Sequence, residues 1–463
     1  MPDFRSLRRG LVALVTLCAI AASTPPALAM EAPPTTELWR IGSAPSADRI
    51  GSDIATLAGF GTRHSLSDTE SETRGIGAAR RWIAAEFERI SEACDGCLEV
   101  RVQRRTFAGE NRIPEPTEIV NVFAILRGET EPDRYVMMSG DIDSRISDPM
   151  NATDDAPGAN DNASGMAGVL EAARVLSRYR FRASIVFAGL SGEEQGLFGG
   201  RAMTGLVREE NWRLEAVLNN DMIGNIAGID GVIDNSVIRV FSEGTRAVES
   251  FDEARRRRFT GGEVDSPSRN LARYVDAAAR YVPNLDVMMI YRLDRFGRGG
   301  HHRPFNEAGY PAVRIMEAHE HYDRQHQDLR VEDGVAYGDV IEFVDFDFAA
   351  RATALNAVTL ASLAWAPAPP AQVTIDGAVT PDTTLAWAAA SPTDTAGYTV
   401  HWRETIEPRW QHHRFVGAVD TFTLENIVID NWFFGVSARS PEGYESPVVF
   451  PGAAGAFWPE AAE

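Results

Sequence analysis

Four short segments combine acidic residues with glycine, and the first, third and fourth each close an apolar run: 139–144 (Ser-Gly-Asp-Ile-Asp-Ser), 158–165 (Gly-Ala-Asn-Asp-Asn-Ala-Ser-Gly), 191–196 (Ser-Gly-Glu-Glu-Gln-Gly) and 219–224 (Asn-Asn-Asp-Met-Ile-Gly). The apolar runs have the length and β-branched content of strands at 119–126, 135–139, 184–188 and 216–219, with more at 98–107, 237–241, 287–290 and 312–315. Helical periodicity lies between them at 75–93, 163–178, 195–207, 268–281 and 339–363. Alternation of this kind predicts an α/β fold, a mixed central sheet flanked by helices. In such a sheet, ligands bind beyond the carboxyl ends of the strands, where the four segments fall.

Asp141, Asp143, Asp161, Glu193, Glu194 and Asp221 therefore converge on one sheet edge. Carboxylates gathered so closely repel one another unless protons or cations intervene, and a metal site is the economical solution. The Glu193-Glu194 pair alone would say little, because helix N-termini collect acidic residues through the dipole. The small residues around Asp141, Asp161 and Asp221 add the decisive element, since they let backbone approach a ligand closely.

These segments resemble the co-catalytic zinc exopeptidases of metallopeptidase family twenty-eight, which include leucyl-type aminopeptidases, glutamate carboxypeptidases and glutaminyl cyclases. The resemblance covers about residues 50 to 365. It implies that Asp161 bridges two zinc ions, that Glu194 and Asp221 each ligate one, and that Glu193 is the general base. Asp143 then supports a ligand from behind. The remaining ligand is a histidine within 317–328, and His326, two residues before Asp328, fits best; His319, His321 and Asp323 are the other candidates. At 299–305 (Gly-Gly-His-His-Arg-Pro-Phe), His301 stands where the family has Asp, and His302 is expected to support the site or touch substrate. The family's first ligand is commonly His in a His-x-Asp pair, whereas this chain has Asp141-Ile142-Asp143. With Asp141 as ligand the donor set is harder, which extends the choice of ion from zinc to manganese or cobalt. The expected activity is that of an aminopeptidase acting on peptides, with carboxypeptidase, glutaminyl cyclase or a catalytically silent binding protein as alternatives.

The rest of the chain sets the context. Arg5, Arg8 and Arg9 precede an apolar run at 11–22 and a small-residue site at 27–29, so residues 1–29 read as an export signal and the protein as periplasmic or secreted. Cys94 and Cys97 are then expected to pair as a local disulfide. The catalytic region is expected at 30–365, ending at the Ala/Pro-rich stretch 364–370. Short strands at 372–375, 384–387, 398–402, 414–416, 421–424, 432–438 and 447–450 predict a small β-sandwich over 371–455. That segment resembles a fibronectin type III module, which would contact a protein or surface partner. All 45 basic residues are Arg and the net charge is −21, which disfavours nucleic acid and anionic membranes as partners.

Overall fold

Alternate residues of the central strands bury on opposite sides. Val136 and Met138 join one apolar cluster, Tyr135 and Met137 the other; Ile185 and Phe187 separate from Val186 and Ala188 in the same way. A strand buried on both faces needs helices above and below, and these sequences supply them. The structure is a computed structural model that describes residues 36–391, 395–455 and 457. The export signal expected at 1–29 lies outside the described residues.

The central sheet has eight strands: β1 (Leu98–Phe107), β2 (Thr117–Leu126), β3 (Glu131–Asp141), β4 (Ala183–Leu190), β5 (Arg213–Asn220), β6 (Val237–Phe241), β7 (Asp286–Ile290) and β8 (Ala312–Glu317). Their order is β1-β2-β4-β3-β5-β8-β6-β7. The middle four, β4, β3, β5 and β8, run parallel, while β2 meets β4 and β6 meets β8 antiparallel. The carboxyl ends of four neighbouring strands thus share one edge.

The helices are α1 (Thr36–Gly42), α2 (Ala47–Ala58), α3 (Gly75–Ala93), α4 (Gly165–Leu176), α5 (Glu193–Gly196), α6 (Phe198–Glu209), α7 (Phe251–Thr260), α8 (Pro267–Ala278), α9 (His302–Glu307) and α10 (Phe346–Trp365). α4 and α10 cover one face through Leu170, Leu355 and Val358, and α6 and α9 the other through Met203, Val207 and Phe305. Each of these fully buried Leu, Val and Phe side chains contributes about 1.5–3 kcal/mol through removal from water. Among the described residues, no helix is long and apolar enough to cross a membrane.

α10 begins seven residues later than periodicity predicts. Asp345 caps it by accepting the Phe348 N–H, and residues 339–344 stay out of the helix because Asp339 faces the loop that carries Asp161. Cys94 and Cys97 are bonded, closing the turn between α3 and β1.

After α10 come β11 (Ala371–Asp376), β12 (Thr383–Ala388), β13 (Gly397–Glu404), β14 (His412–Gly417), β15 (Thr421–Leu424) and β16 (Trp432–Arg439), following the small hairpin β9 (Arg330–Glu332) and β10 (Val335–Tyr337). They form two three-stranded antiparallel sheets, β11-β12-β15 and β14-β13-β16. Val373, Leu385 and Trp387 from one meet Val400, Phe434 and Val436 from the other in a common core. The strand expected at 447–450 contributes only an isolated bridge, Val449 to Val436. The stretch 366–370 is buried: the Ala366 carbonyl accepts from Arg134 Nη2 at 2.5 Å, so it is part of the packed body.

Candidate active site

The strand-to-helix turn after β4 depends on Gly192, whose φ of 77° lies in the left-handed region. It turns the chain abruptly, so Glu193 and Glu194 open α5 at the sheet edge. Asp143 fixes that opening: its Oδ1 accepts the Glu193 N–H at 3.2 Å and its Oδ2 the Glu194 N–H at 3.1 Å. Ser65 Oγ donates to the same carboxylate at 3.1 Å. Asp143, expected to support a ligand, thus holds the backbone of both adjacent glutamates.

Asp161 lies on the turn before α4. Asp339 accepts the backbone N–H of Asn160 at 2.8 Å and of Asp161 at 2.6 Å. Arg63, 1% exposed, ties the same loop to β3 by donating to the carbonyls of Ile142 and Gly158. At the start of α4, a Cβ on Gly165 would come within 2.4 Å of the Asn220 carbonyl oxygen, so glycine permits the helix to approach β5.

His326 comes from the loop after β8 and completes a cluster. Its Nε2 lies 2.8 Å from Asp161 Oδ2 and 2.9 Å from Glu194 Oε1. One donor atom from each of the three residues falls within 4.8 Å of the others. Arg145 donates to Glu194 Oε2 at 2.7 Å, and its Nη2 lies 2.6 Å from His326 Nδ1. A guanidinium only donates, so Nδ1 accepts and the ring proton sits on Nε2, between the two carboxylates. A cation bound to Nε2 displaces that proton.

Asp141 and Asp221, also expected as ligands, have partners of their own beside the cluster, and Asp221 also lines the cleft. Asp141 Oδ1 lies 2.5 Å from His301 Nδ1, and its Oδ2 accepts from Asn162 Nδ2 at 2.7 Å. Asp221 Oδ2 pairs with Arg314 Nη2 at 2.9 Å. His302 does not reach the cleft: it is fully buried, with Nε2 2.9 Å from the Leu293 carbonyl oxygen and its backbone N–H on Asn219. Its ring also lies 3.5 Å from Asp294 Oδ2, and Asp294 pairs with Arg314 behind Asp221, so His302 stands behind the cleft rather than in it. Among the other candidates, His319 serves through its backbone carbonyl, which accepts from Asn225, and His321 is outside the cluster.

Glu193 lines an open cleft of about 290 Å³ together with Asp161, Glu194, Asp221 and His326. Arg112, Arg145, Arg295, Arg298 and Arg303 also line it. Burial, and then the neighbouring Asp221 and Glu194 charges, raise the Glu193 pKa well above the ordinary carboxylate value. The residues that sequence reasoning missed are Arg63, Arg145, Arg314, Asp294 and Asp339. Arg145 directly follows the segment 139–144, a position that could have flagged it, whereas the other four lie outside the acidic segments and act on partners 20 or more residues away.

The family model for peptidase family M28 matches residues 121–340, the span that contains every residue of this cluster. A probable zinc metalloprotease of Leptosphaeria maculans is 46% identical over 420 residues, covering 90% of this chain and 97% of its own length. The chain belongs to peptidase family M28. Another relative, a probable zinc metalloprotease of Pyrenophora tritici-repentis, is 43% identical over 94% of this chain and 92% of its own length. The LapA aminopeptidase of Legionella pneumophila has the same fold, with a TM-score of 0.50 at 17% identity over 71% of this chain and 75% of that one.

Proposed function

We propose that this M28 member is an exported, zinc-dependent exopeptidase of the aminopeptidase type, with Glu193 as general base. The observation that carries the reading is the cluster of Asp161, Glu194 and His326 opening onto the cleft beside Glu193. Two carboxylates and one imidazole with an open side form the donor set of a catalytic zinc site, so these residues fit the ion. A bound divalent ion supplies Lewis acidity to the scissile carbonyl and to the attacking water. Glu193 stands next in the chain to the ligand Glu194 but keeps its own carboxylate free for the water proton, which it holds and returns to the leaving amine. Asp143 keeps the two glutamates in register for these separate roles, and Arg145 orients Glu194 and His326.

A second reading has an observation of its own. Five arginines line the cleft of a chain whose net charge is −21, which favours a carboxylate on the substrate and hence carboxypeptidase action. Export rests on the arginines and apolar run of residues 1–29. The two facing three-stranded sheets support a fibronectin-like module at 371–455 that meets a protein or surface partner, with the catalytic domain at 30–365.

The deciding experiment is a panel of aminoacyl amides, blocked peptides with free carboxyl ends, and N-terminal glutaminyl peptides. It is assayed before chelation, after chelation and after return of zinc, manganese or cobalt. Release of N-terminal residues that is lost on chelation and restored by metal supports the aminopeptidase reading. Release only of C-terminal residues moves the assignment to carboxypeptidase, and cyclisation without hydrolysis moves it to glutaminyl cyclase. Full activity in metal-free protein overturns the metallopeptidase mechanism. Binding without turnover in metal-loaded protein leaves the silent binding protein.

A further inference from the structure

We infer that Arg112 is the residue that reads a carboxylate on the peptide substrate, whichever end of the peptide is cut. The inference rests on reading the cleft beside Glu193 as a peptidase site. Arg112 lies in the loop between β1 and β2 and lines that cleft together with Glu193 and Glu194. Its loop is held in one shape. Glu110 and Ile113 exchange backbone hydrogen bonds at 3.0 and 3.1 Å, closing a turn with Arg112 inside it, and the fully buried Ile113 packs with Ile119 and Phe198. The guanidinium is anchored as well, since Nη1 donates to the Glu194 carbonyl at 2.6 Å. Among the described residues no acceptor takes Nε or Nη2, so one edge of the planar fork remains uncommitted.

Arg112 differs from the other arginines of the cleft in having no acidic partner among the described residues. Arg145 pairs with Glu194 at 2.7 Å, Arg295 with Glu320 at 2.9 Å, Arg298 with the same Glu320 at 3.6 Å and Arg303 with Glu307 at 2.7 Å. Glu110, on the same turn as Arg112, pairs instead with Arg201 at 3.5 Å. Asp161 and Glu194 face His326, and Asp221 faces Arg314. Arg112 is thus a half-buried, firmly mounted cation that the chain itself leaves unanswered. Its Nε–Nη2 edge offers a carboxylate two parallel N–H donors, and a guanidinium already held in place loses little freedom when it binds one. The carboxylate has two possible sources: an acidic side chain, or the free C-terminus of a short peptide.

The test uses the intact, zinc-loaded chain and short peptides matched in all but charge: Glu against Gln at each position in turn, with the C-terminus free or amidated. The expected result is a kcat/KM for the carboxylate form roughly 10–100-fold above that of its amide form, the usual worth of a hydrogen bond to a charged group. A preference at a Glu position assigns the side chain as the source, and one at the terminus assigns the free carboxyl end. In Arg112→Gln the ratio is expected to collapse toward one, chiefly through KM. A purely structural role through the Glu194 carbonyl lowers both forms alike and keeps the ratio, and that result overturns the proposal. A ratio near one in the unaltered chain overturns it too, as does a ratio that survives Arg112→Gln and falls in Arg298→Gln or Arg303→Gln; in each case the peptidase reading stands. Absence of any peptide turnover in the zinc-loaded chain overturns that reading and the proposal with it. If Arg112→Gln does not fold, Arg112→Lys takes its place: a single point charge is expected to cut the ratio several-fold, and an unchanged ratio overturns the proposal.

Discussion

Asp339 accepts the backbone N–H of Asp161 at 2.6 Å, joining residues separated by 178 positions. The bond orients a proposed ligand through its main chain and leaves the Asp161 carboxylate free to face His326. Asp339→Asn puts an amide NH₂ where one of two acceptors stood, so one of the N–H groups of Asn160 and Asp161 loses its partner. Zinc affinity is expected to fall roughly 10–100-fold, the usual effect of changing a group that orients a ligand. Competition titration with a chromogenic chelator measures it, and unchanged affinity would show that the loop holds its shape without Asp339.

Glu193→Gln removes the proton acceptor but keeps size and backbone contacts with Asp143. Turnover is expected to drop by about 10²–10⁴-fold, with zinc content unchanged. Glu194→Gln, by contrast, is expected to lose metal. Equal metal loss in both variants would reverse the division of roles between the neighbours.

Buried histidines set the acid side of the stability profile. Burial lowers the pKa of His301, His302 and His401 to about 4 in each case. The unfolded chain, with pKa values of about 6.5, takes up these protons first as pH falls. Stability is thus fully present above about pH 6.5 and is lost progressively toward pH 4. His401, on β13 and hydrogen-bonded to Ser437, lies far in sequence from the metal cluster and isolates the effect. His401→Asn is expected to flatten the slope of unfolding free energy between pH 4 and 6.5 by up to one proton. Urea unfolding of metal-free protein at several pH values reads it, and a slope unchanged by the substitution would remove His401 from the account.

The C-terminal sheets are fastened to the residues around α8 by charge. Arg403, from β13, donates to Asp265 Oδ2 at 2.6 Å, and Arg273 donates to the other oxygen at 2.8 Å; all three residues are buried. Arg403→Ala leaves Asp265 with one partner, at an expected cost of about 3–5 kcal/mol. A chain ending at Trp365 goes further, uncovering Asp265, Arg273 and the Trp365 ring that packs on Tyr444. Both are expected to melt below the full chain in calorimetry. A truncated chain with an unchanged midpoint would mean that the two parts fold independently.

The sequence by itself determined the α/β architecture, the eight strands of the central sheet and the segments that carry the site. Those features are written locally: period-2 and period-3.6 burial, glycine at sharp turns, and carboxylates at strand ends. His326 came forward only through the family resemblance. Tertiary structure alone decided which carboxylates meet His326 and which are answered by other cations. Arg314 reads as one charged residue in the apolar run of β8, and only folding against β5 and residues 294–299 makes it the partner of Asp221 and Asp294. Asp339 reads as the start of a helix until the loop before α4 closes on it. The physical reason is common to both: an ion pair or a backbone hydrogen bond between distant segments has no periodicity, so it leaves no pattern in the sequence. It exists only once burial has made an unpartnered charge or N–H too costly to leave.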